Sequence, residues 1–478
     1  MCSEPQKKSK KPRVGIIGGG VAGSTIAMQL SQNNDIDVLL LEQGQSLVNG
    51  PPFCHLHAGG NLYREIDEQQ CVQLLQESID TLKMYPHCAN IRPTVIAVPQ
   101  RDPGEVDALL PRLQVLTEYY RGLTETDGSN KLLGEPDDYF RLYSRAQMEQ
   151  LKHQVASGRP RSCDQWMIPL AKELDFDKVK WPLVLVQEYG LSLFRLAASA
   201  ELTLQQRPGC QLLVDTKVVN VTAEAKGWTI QLDCADSKDI HVDYLVNACG
   251  YRSGELDDLL EIDSPRLVEF KAAYVAKWSQ ASHWPEVIFH GERGTPNGMA
   301  QLTPYADGLF QLHGMTDKIT LFEQGLVASS AQSAQPQLPL VLRQKLHEGW
   351  PQAIVEDRTN KAIAHLAYFL PKFAAAATSA KPLYGAQQIP GDDANLRAAD
   401  VAFSTCRYAR AEIVKATSAI PAARLIQQQL VEIGLLSANP APNVEISDGL
   451  DYAEVERYAQ QIALQRDYPP ALARQFGE

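Results

Sequence analysis

Three consecutive glycines, Gly18-Gly19-Gly20, stand between a short β-type apolar run, Arg13 to Ile17, and a helical pattern from Ser24 to Gln32. With Val21, Ala22 and Gly23 they complete G-x-G-x-x-G in the context that gives this spacing a physical meaning, a strand turning tightly into a helix. Gly18 is suited to the tight turn, Gly20 to a close backbone approach by a pyrophosphate, and Gly23 to close packing of helix on strand. Bare amides at the helix start would then face the phosphates, and Ala27 is small enough to let that helix sit on a sheet. A second strand, Asp37 to Leu41, ends at Glu42 and Gln43, roughly the ~20-residue interval after the glycines at which a carboxylate accepts hydrogen bonds from a ribose. Glu42 would repel a 2′-phosphate. Against a ligand-free glycine turn in a buried βαβ unit, the joint pattern favours a dinucleotide with a free ribose, held by Gly18, Gly20, Val21, Ala22, Gly23, Glu42 and Gln43.

The whole chain of 478 residues has to accommodate this unit, and its length leaves room for two or three domains. A net charge of -12 excludes a protein whose affinity comes from nucleic-acid phosphates, which demand a dense field of Lys and Arg. The basic run Lys7, Lys8, Lys10, Lys11 and Arg13 reads as a solvated tail. Nine scattered cysteines without a C-x-x-C pair give neither a disulfide framework nor a metal site. With polar first residues and no apolar stretch of ~18 residues, the expectation is a cytoplasmic protein with reduced thiols and no transmembrane segment. Peripheral contact with a membrane is compatible with this.

Downstream, Thr216 to Ala223 and Trp228 to Leu232 alternate like paired strands, and Ile240 to Asn247 runs into Ala248-Cys249-Gly250. With the glycine turn, these stretches resemble the D-amino-acid-oxidase-like superfamily of FAD-dependent oxidoreductases, and are similar to 2-hydroxyacid dehydrogenases such as malate:quinone and L-2-hydroxyglutarate dehydrogenases. The resemblance implies an α/β fold of glutathione-reductase-like architecture: a Rossmann-type FAD-binding domain with a second, mixed-sheet substrate domain. It implies that Val218 contacts the adenine side and that the Ala248 to Gly250 backbone passes the cofactor. Gly190 to Leu196 looks like a helix start of that family. Ala248-Cys249-Gly250 is not followed by the Asp of disulfide-reductase-type flavoproteins, and no second G-x-G-x-x-G serves a nicotinamide nucleotide, which points to FAD alone. Gly391-Asp392-Asp393 lacks the continuation found in aromatic hydroxylases. Trp166-Met167-Ile168-Pro169 matches half of the halogenase stretch, and is read as a structural Trp before a Pro-terminated turn.

Pro51 to Glu65 contains His55-Leu56-His57-Ala58-Gly59-Gly60-Asn61 and Arg64. This looks like the superfamily's H-A-G loop, which implies that His57, Gly60 and Asn61 lie along the isoalloxazine. In dimethylglycine-type dehydrogenases the matching His is bonded covalently to the flavin, whereas 2-hydroxyacid relatives have a similar loop without that bond, so both states stay open for His57. Further on, Leu302 to Tyr305 and Leu309 to Met315 alternate around Ala306-Asp307-Gly308, a strong hairpin signal. It would put Gln311 and His313 on one face and Phe310 and Leu312 on the other. The hairpin is similar to one that the dehydrogenases place over the flavin. A neutral His there could take a proton from a substrate hydroxyl or ammonium, and a His hydrogen-bonded within the sheet is the competing reading. Tyr384 to Gln388 resembles the family's G-x-R-P segment, but Gln387 stands at the Arg position and puts a carboxylate clamp in doubt; Arg64 or Arg397 could substitute. Ser418 and Pro421 look like the start of a final helix, and Lys415 either adds charge near the flavin or is a plain solvated Lys.

These positions suggest an FAD-binding part over 13–90, 185–260 and 380–440, a substrate part over 91–184 and 261–379, and a helical tail over 441–478. The expected activity is hydride removal from a C–N or C–O carbon of a small polar metabolite, an amino acid, amine or 2-hydroxyacid, with oxygen or a quinone as acceptor. The candidate catalytic residues are His313, His57, Gln311 and Arg64. The alternatives are a flavin-bound protein that modifies or helps assemble a partner, and a monooxygenase- or halogenase-like enzyme.

Overall fold

The computed structural model describes residues 11–50, 56, 66–233, 239–278, 283–394, 396, 400–405, 407–437 and 449–476. Two large sheets organise them. In the first, of six strands, Arg13–Ile17 lies between Asp37–Leu41 and Tyr244–Asn247, both parallel to it. Cys210–Leu213 extends it parallel on one side, Tyr408–Glu412 parallel on the other, and Asp400–Thr405 closes that edge antiparallel. Its central strands read as unbroken apolar runs because both faces are covered. Helix Val21–Leu30 covers one of them and is buried from Ala22 to Leu30. A three-stranded antiparallel sheet of Val218–Glu224, Gly227–Leu232 and Ile240–Val242 precedes the return into Tyr244–Asn247.

The second sheet has ten strands. Its long member, Arg266–Lys277, pairs antiparallel with Leu309–Gly314, which continues through Ala300–Pro304 and Glu286–Phe289 to Thr94–Ala97, Leu183–Val186 and Phe140–Tyr143. Leu383–Pro390 hydrogen-bonds along Arg266–Ala273 and so extends this sheet rather than the six-stranded one, although it follows position 380. Even-numbered residues Tyr274, Ala276, Leu302, Phe310 and Leu312 point into an apolar core under helix Gln352–Ala367. The hairpin forms around Asp307 and Gly308, whose φ of 61° and 72° match the turn chemistry of Asp-Gly.

A buried polar network locks the two sheets together. Asp257 accepts from the Tyr408 hydroxyl at 2.6 Å, from Arg410 Nη1 at 2.9 Å and from Arg266. Arg266 also donates to Ser253 Oγ at 2.9 Å, and that hydroxyl donates to Gln388 at 2.7 Å. Tyr408 and Arg410 belong to the six-stranded sheet, Arg266 and Gln388 to the other. Asp257→Ala leaves two guanidinium groups buried without this carboxylate, and is expected to cost about 3–5 kcal/mol of stability. Urea unfolding measures it; a loss below about 1 kcal/mol would show that the network carries little.

Two local expectations are corrected. Pro169 does not end a turn: it lies inside helix Cys163–Glu173, where Met167, Ile168, Leu170 and Ala171 are buried against the second sheet and hold the helix through the missing amide. Ser418 does precede helix Ala419–Glu432, but its side chain caps nothing and donates instead to Glu77 Oε2 at 2.7 Å. The C-terminal helix, Tyr452–Gln465, is capped by Asp451 and ends ahead of Pro469-Pro470. It packs on helix Leu193–Gln205, with Tyr458 donating to Glu201 at 2.6 Å. None of the described helices is long and apolar enough to cross a membrane.

Candidate active site

The glycine turn lies at the carboxyl ends of the central parallel strands, and sterics explain two of its glycines. A Cβ on Gly18, which has φ +100°, would lie 2.4 Å from the Ala248 carbonyl oxygen; one on Gly23 would lie 1.8 Å from the Gly18 oxygen. Gly20 is different. A Cβ there would meet no protein atom within 4 Å, although the residue is only half-exposed. Gly20 is the N-cap of helix Val21–Leu30 without any side-chain cap, so the amides of Val21, Ala22 and Gly23 open onto that space with the positive end of the helix behind them.

Glu42 is buried at the end of the neighbouring strand. Its carboxylate accepts from the Gly19 amide at 2.7 Å and the Gly44 amide at 2.6 Å, and from Asn49 Nδ2 at 3.3 Å. Gln43 is exposed and accepts from Arg252 Nη1 at 2.8 Å. The chain from Leu213 to Thr216 runs alongside, with Thr216 N donating to the Glu42 carbonyl at 2.8 Å, which brings half-buried Val218 to this end of the sheet. Ala248 is fixed by its amide on Ile17 O at 2.8 Å, and Gly250, with φ +61°, is exposed beyond it. The structure therefore brings Gly18, Gly20, Val21, Ala22, Gly23, Glu42, Gln43, Ala248 and Gly250 to one strand end. His57, Gly60, Asn61, Arg64 and Arg397 lie outside the described residues.

The odd-numbered face of the second sheet is polar where the other face is apolar. Gln301 pairs with His313 and Thr303 with Gln311 in register. Gln311 is buried and accepts from the Tyr305 hydroxyl at 3.2 Å, while His313 is half-buried. Gln301 donates to Glu286, which sits 2.5 Å from Arg92 in a fully buried ion pair. On the other flank Glu269 is cross-strand from Gln387, and Gln387 Nε2 donates to the Val414 carbonyl, next to half-buried Lys415 and just past the end of Tyr408–Glu412. That contact carries the polar face to the nucleotide-type unit.

The family model DAO, described as FAD dependent oxidoreductase, matches residues 13–387. The chain belongs to this family. As a member it is an FAD-dependent oxidoreductase, and the combination of a Rossmann-type unit with a mixed-sheet unit is the family's fold. Among solved structures, it is similar to glycine oxidase from Geobacillus kaustophilus at 11% identity and TM-score 0.55, covering 92% of this chain and 100% of that one. L-Proline dehydrogenase from P. horikoshii matches at 14% and 0.57, over 89% and 96%. L-α-Glycerophosphate oxidase from Mycoplasma pneumoniae, with FAD bound, matches at 14% and 0.52, over 92% and 99%. At such identities these likenesses show the fold. No curated protein matches this sequence.

The flavoprotein's own residues fit FAD. The open space at Gly20 above uncapped amides suits a pyrophosphate, and an ionised carboxylate accepts at about four positions, so ribose hydroxyls would share Glu42 with the two amides that fix it. Sequence reasoning missed a brace on this cradle. Arg466, from the tail, donates to the Val48 carbonyl and the Ser46 hydroxyl, each at 2.8 Å, and the Val48 amide in turn donates to Gly19 O at 2.8 Å. Burial pushes the Arg466 guanidinium down to about 10, so it stays charged at neutral pH. Among the described residues, no cluster of His, Cys, Asp and Glu forms a metal site.

Proposed function

We propose that this flavoprotein removes hydride from a C–N or C–O carbon of a small polar metabolite, an amino acid, amine or hydroxyacid, and passes the electrons to oxygen or a quinone. The observation that carries the reading is the row of polar side chains, Gln301, Thr303, Gln311 and His313, on the sheet face that connects through Gln387 to the nucleotide-type unit. Its opposite face is wholly apolar, so the polarity is confined to one side of the same strands. Bound FAD supplies a two-electron acceptor. His313 takes the proton of the substrate hydroxyl or ammonium, and Gln311, held by Tyr305, orients the polar group. The names of the similar structures span both bond types, C–N in glycine oxidase and proline dehydrogenase and C–O in glycerophosphate oxidase. Anaerobic stopped-flow mixing with a panel of amino acids, amines, hydroxyacids and glycerol 3-phosphate tests the proposal. Bleaching of the oxidised flavin by at least one class is expected; bleaching by dithionite alone would refute it.

The bond between His57 and the flavin is a separate question with its own readout. We expect acid precipitation to leave flavin fluorescence in the supernatant, the noncovalent state. Fluorescence that stays in the pellet, and is lost from it in His57→Ala, would instead assign the bond to His57.

A further inference from the structure

The loop 44–49 that follows Asp37–Leu41 wraps the Glu42 carboxylate. One oxygen accepts from the Gly44 amide and the Asn49 side chain; the other accepts from Gly19, whose own carbonyl accepts from the Val48 amide at 2.8 Å. Val48 is buried with φ +57°. A β-branched residue rarely adopts this left-handed conformation, which persists only where surrounding contacts overdetermine it. Those contacts come from two distant elements. Glu201, on helix Leu193–Gln205, accepts from the Leu47 amide at 2.5 Å through one oxygen and from the Tyr458 hydroxyl at 2.6 Å through the other. Arg466, directly after helix Tyr452–Gln465, spreads one guanidinium over three successive residues. Its Nη1 donates to the Val48 carbonyl at 2.8 Å, Nη2 to the Leu47 carbonyl, and Nε and Nη2 to Ser46 Oγ at 3.2 and 2.8 Å. The tail is anchored on both sides of Arg466 by other groups, Tyr458 before it and, after it, the Tyr468 hydroxyl on Pro382 O at 2.9 Å.

We infer that Arg466 is a positioning residue for FAD: it fixes loop 46–48 in the left-handed conformation that keeps Glu42 oriented, and thereby sets how firmly the cofactor is held. The left-handed Val48 reverses the chain between its amide, on Gly19 O, and the Asn49 side chain, on Glu42. With φ returned to negative values the two contacts no longer form together. Glu42 then loses part of the support that fixes where its remaining acceptor positions point. A guanidinium suits this role because its donors lie in a rigid planar fork, able to engage two consecutive carbonyls and a hydroxyl at once, which a single ammonium on a flexible stem does less well. The inference rests on the ribose role read for Glu42 and is independent of the substrate that the flavin oxidises.

The test is FAD release from the loaded protein, followed by recovery of free-flavin fluorescence after dilution. Arg466→Gln should release FAD about 10–100-fold faster, the worth of one hydrogen bond to a charged carboxylate, and Arg466→Lys should recover part of the loss. In a Glu42→Gln background the same Arg466→Gln change should add little, because it acts through that carboxylate; a general loosening of the fold would add its full effect there. Asp451→Ala removes the cap at the far end of the tail helix and should leave release at the wild-type rate. If Arg466→Gln does not fold, Tyr458→Phe carries the same comparison: it takes the hydroxyl from Glu201 and should speed release about 2–10-fold, again only with Glu42 intact. Should the flavin be bonded to His57, the series is measured on His57→Ala. Release at the wild-type rate from Arg466→Gln, or from Tyr458→Phe in its place, overturns the inference. So does no effect of Glu42→Gln alone, an undiminished effect in the Glu42→Gln background, or equally fast release from Asp451→Ala. The measurement needs no turnover, so failure of the hydride-removal reading would appear separately, as a firmly held flavin that no metabolite bleaches.

Discussion

Gly20→Val is expected to give folded protein without bound FAD. The N-cap backbone at Gly20, φ -65° and ψ -173°, is open to any residue, and no protein atom stands within 4 Å of the added Cβ. The side chain would occupy the space in front of the Val21, Ala22 and Gly23 amides. Losing two hydrogen bonds from these amides to a charged phosphate corresponds to about 3–6 kcal/mol, on the order of 10²–10⁴-fold in affinity. Gly23→Ala is the contrasting variant. Its methyl group would meet the Gly18 carbonyl oxygen at 1.8 Å, so the helix itself has to move, and stability and flavin binding should fall together. Urea unfolding and flavin content of the two purified variants separate these outcomes. A yellow Gly20→Val protein with wild-type FAD affinity would remove the pyrophosphate from this turn.

His313→Ala should lower the rate of flavin reduction on the order of 10²–10⁴-fold while leaving FAD affinity unchanged, the signature of a lost general base rather than lost cofactor binding. Its neighbours allow the substitution: His313 is half-buried and opposite Gln301, at the open end of the row, whereas Gln311 is fully buried and bonded to Tyr305. Wild-type reduction by His313→Ala with every active substrate would place the base elsewhere. Because the substrate is unidentified, amines and acids both belong in the comparison.

The features visible in the sequence are those whose physics is local. The glycine turn depends on backbone sterics within one strand-turn-helix unit, and its consequences at Gly18 and Gly23 are those the spacing predicts. The hairpin is set by Asp307-Gly308 between two alternating runs, and the alternation correctly separated Gln311 and His313 from Phe310 and Leu312. Where the local signal failed, tertiary contacts outweighed it. Ser418 is a good capping residue by type, yet Glu77, 341 positions away in sequence, takes its hydroxyl. Pro169 is a helix breaker by type, yet buried neighbours carry the helix past it.

By itself, then, the sequence determined a glycine turn between strand and helix, a carboxylate beside it at Glu42 and a hairpin with a polar face, since each follows from covalent geometry, period and short-range spacing, whereas the flavin-dependent family was legible through resemblance to its members. The tertiary structure alone decided what those elements meet. It put Glu269 opposite Gln387, brought Arg293 and Lys271 to Glu269, set Arg466 against a loop 418 residues earlier in the chain, and joined the sheets through Asp257. Charged side chains cannot be buried singly at small cost, so each of these contacts depends on a partner that only the folded chain supplies, and no local pattern of residues announces which one it will be.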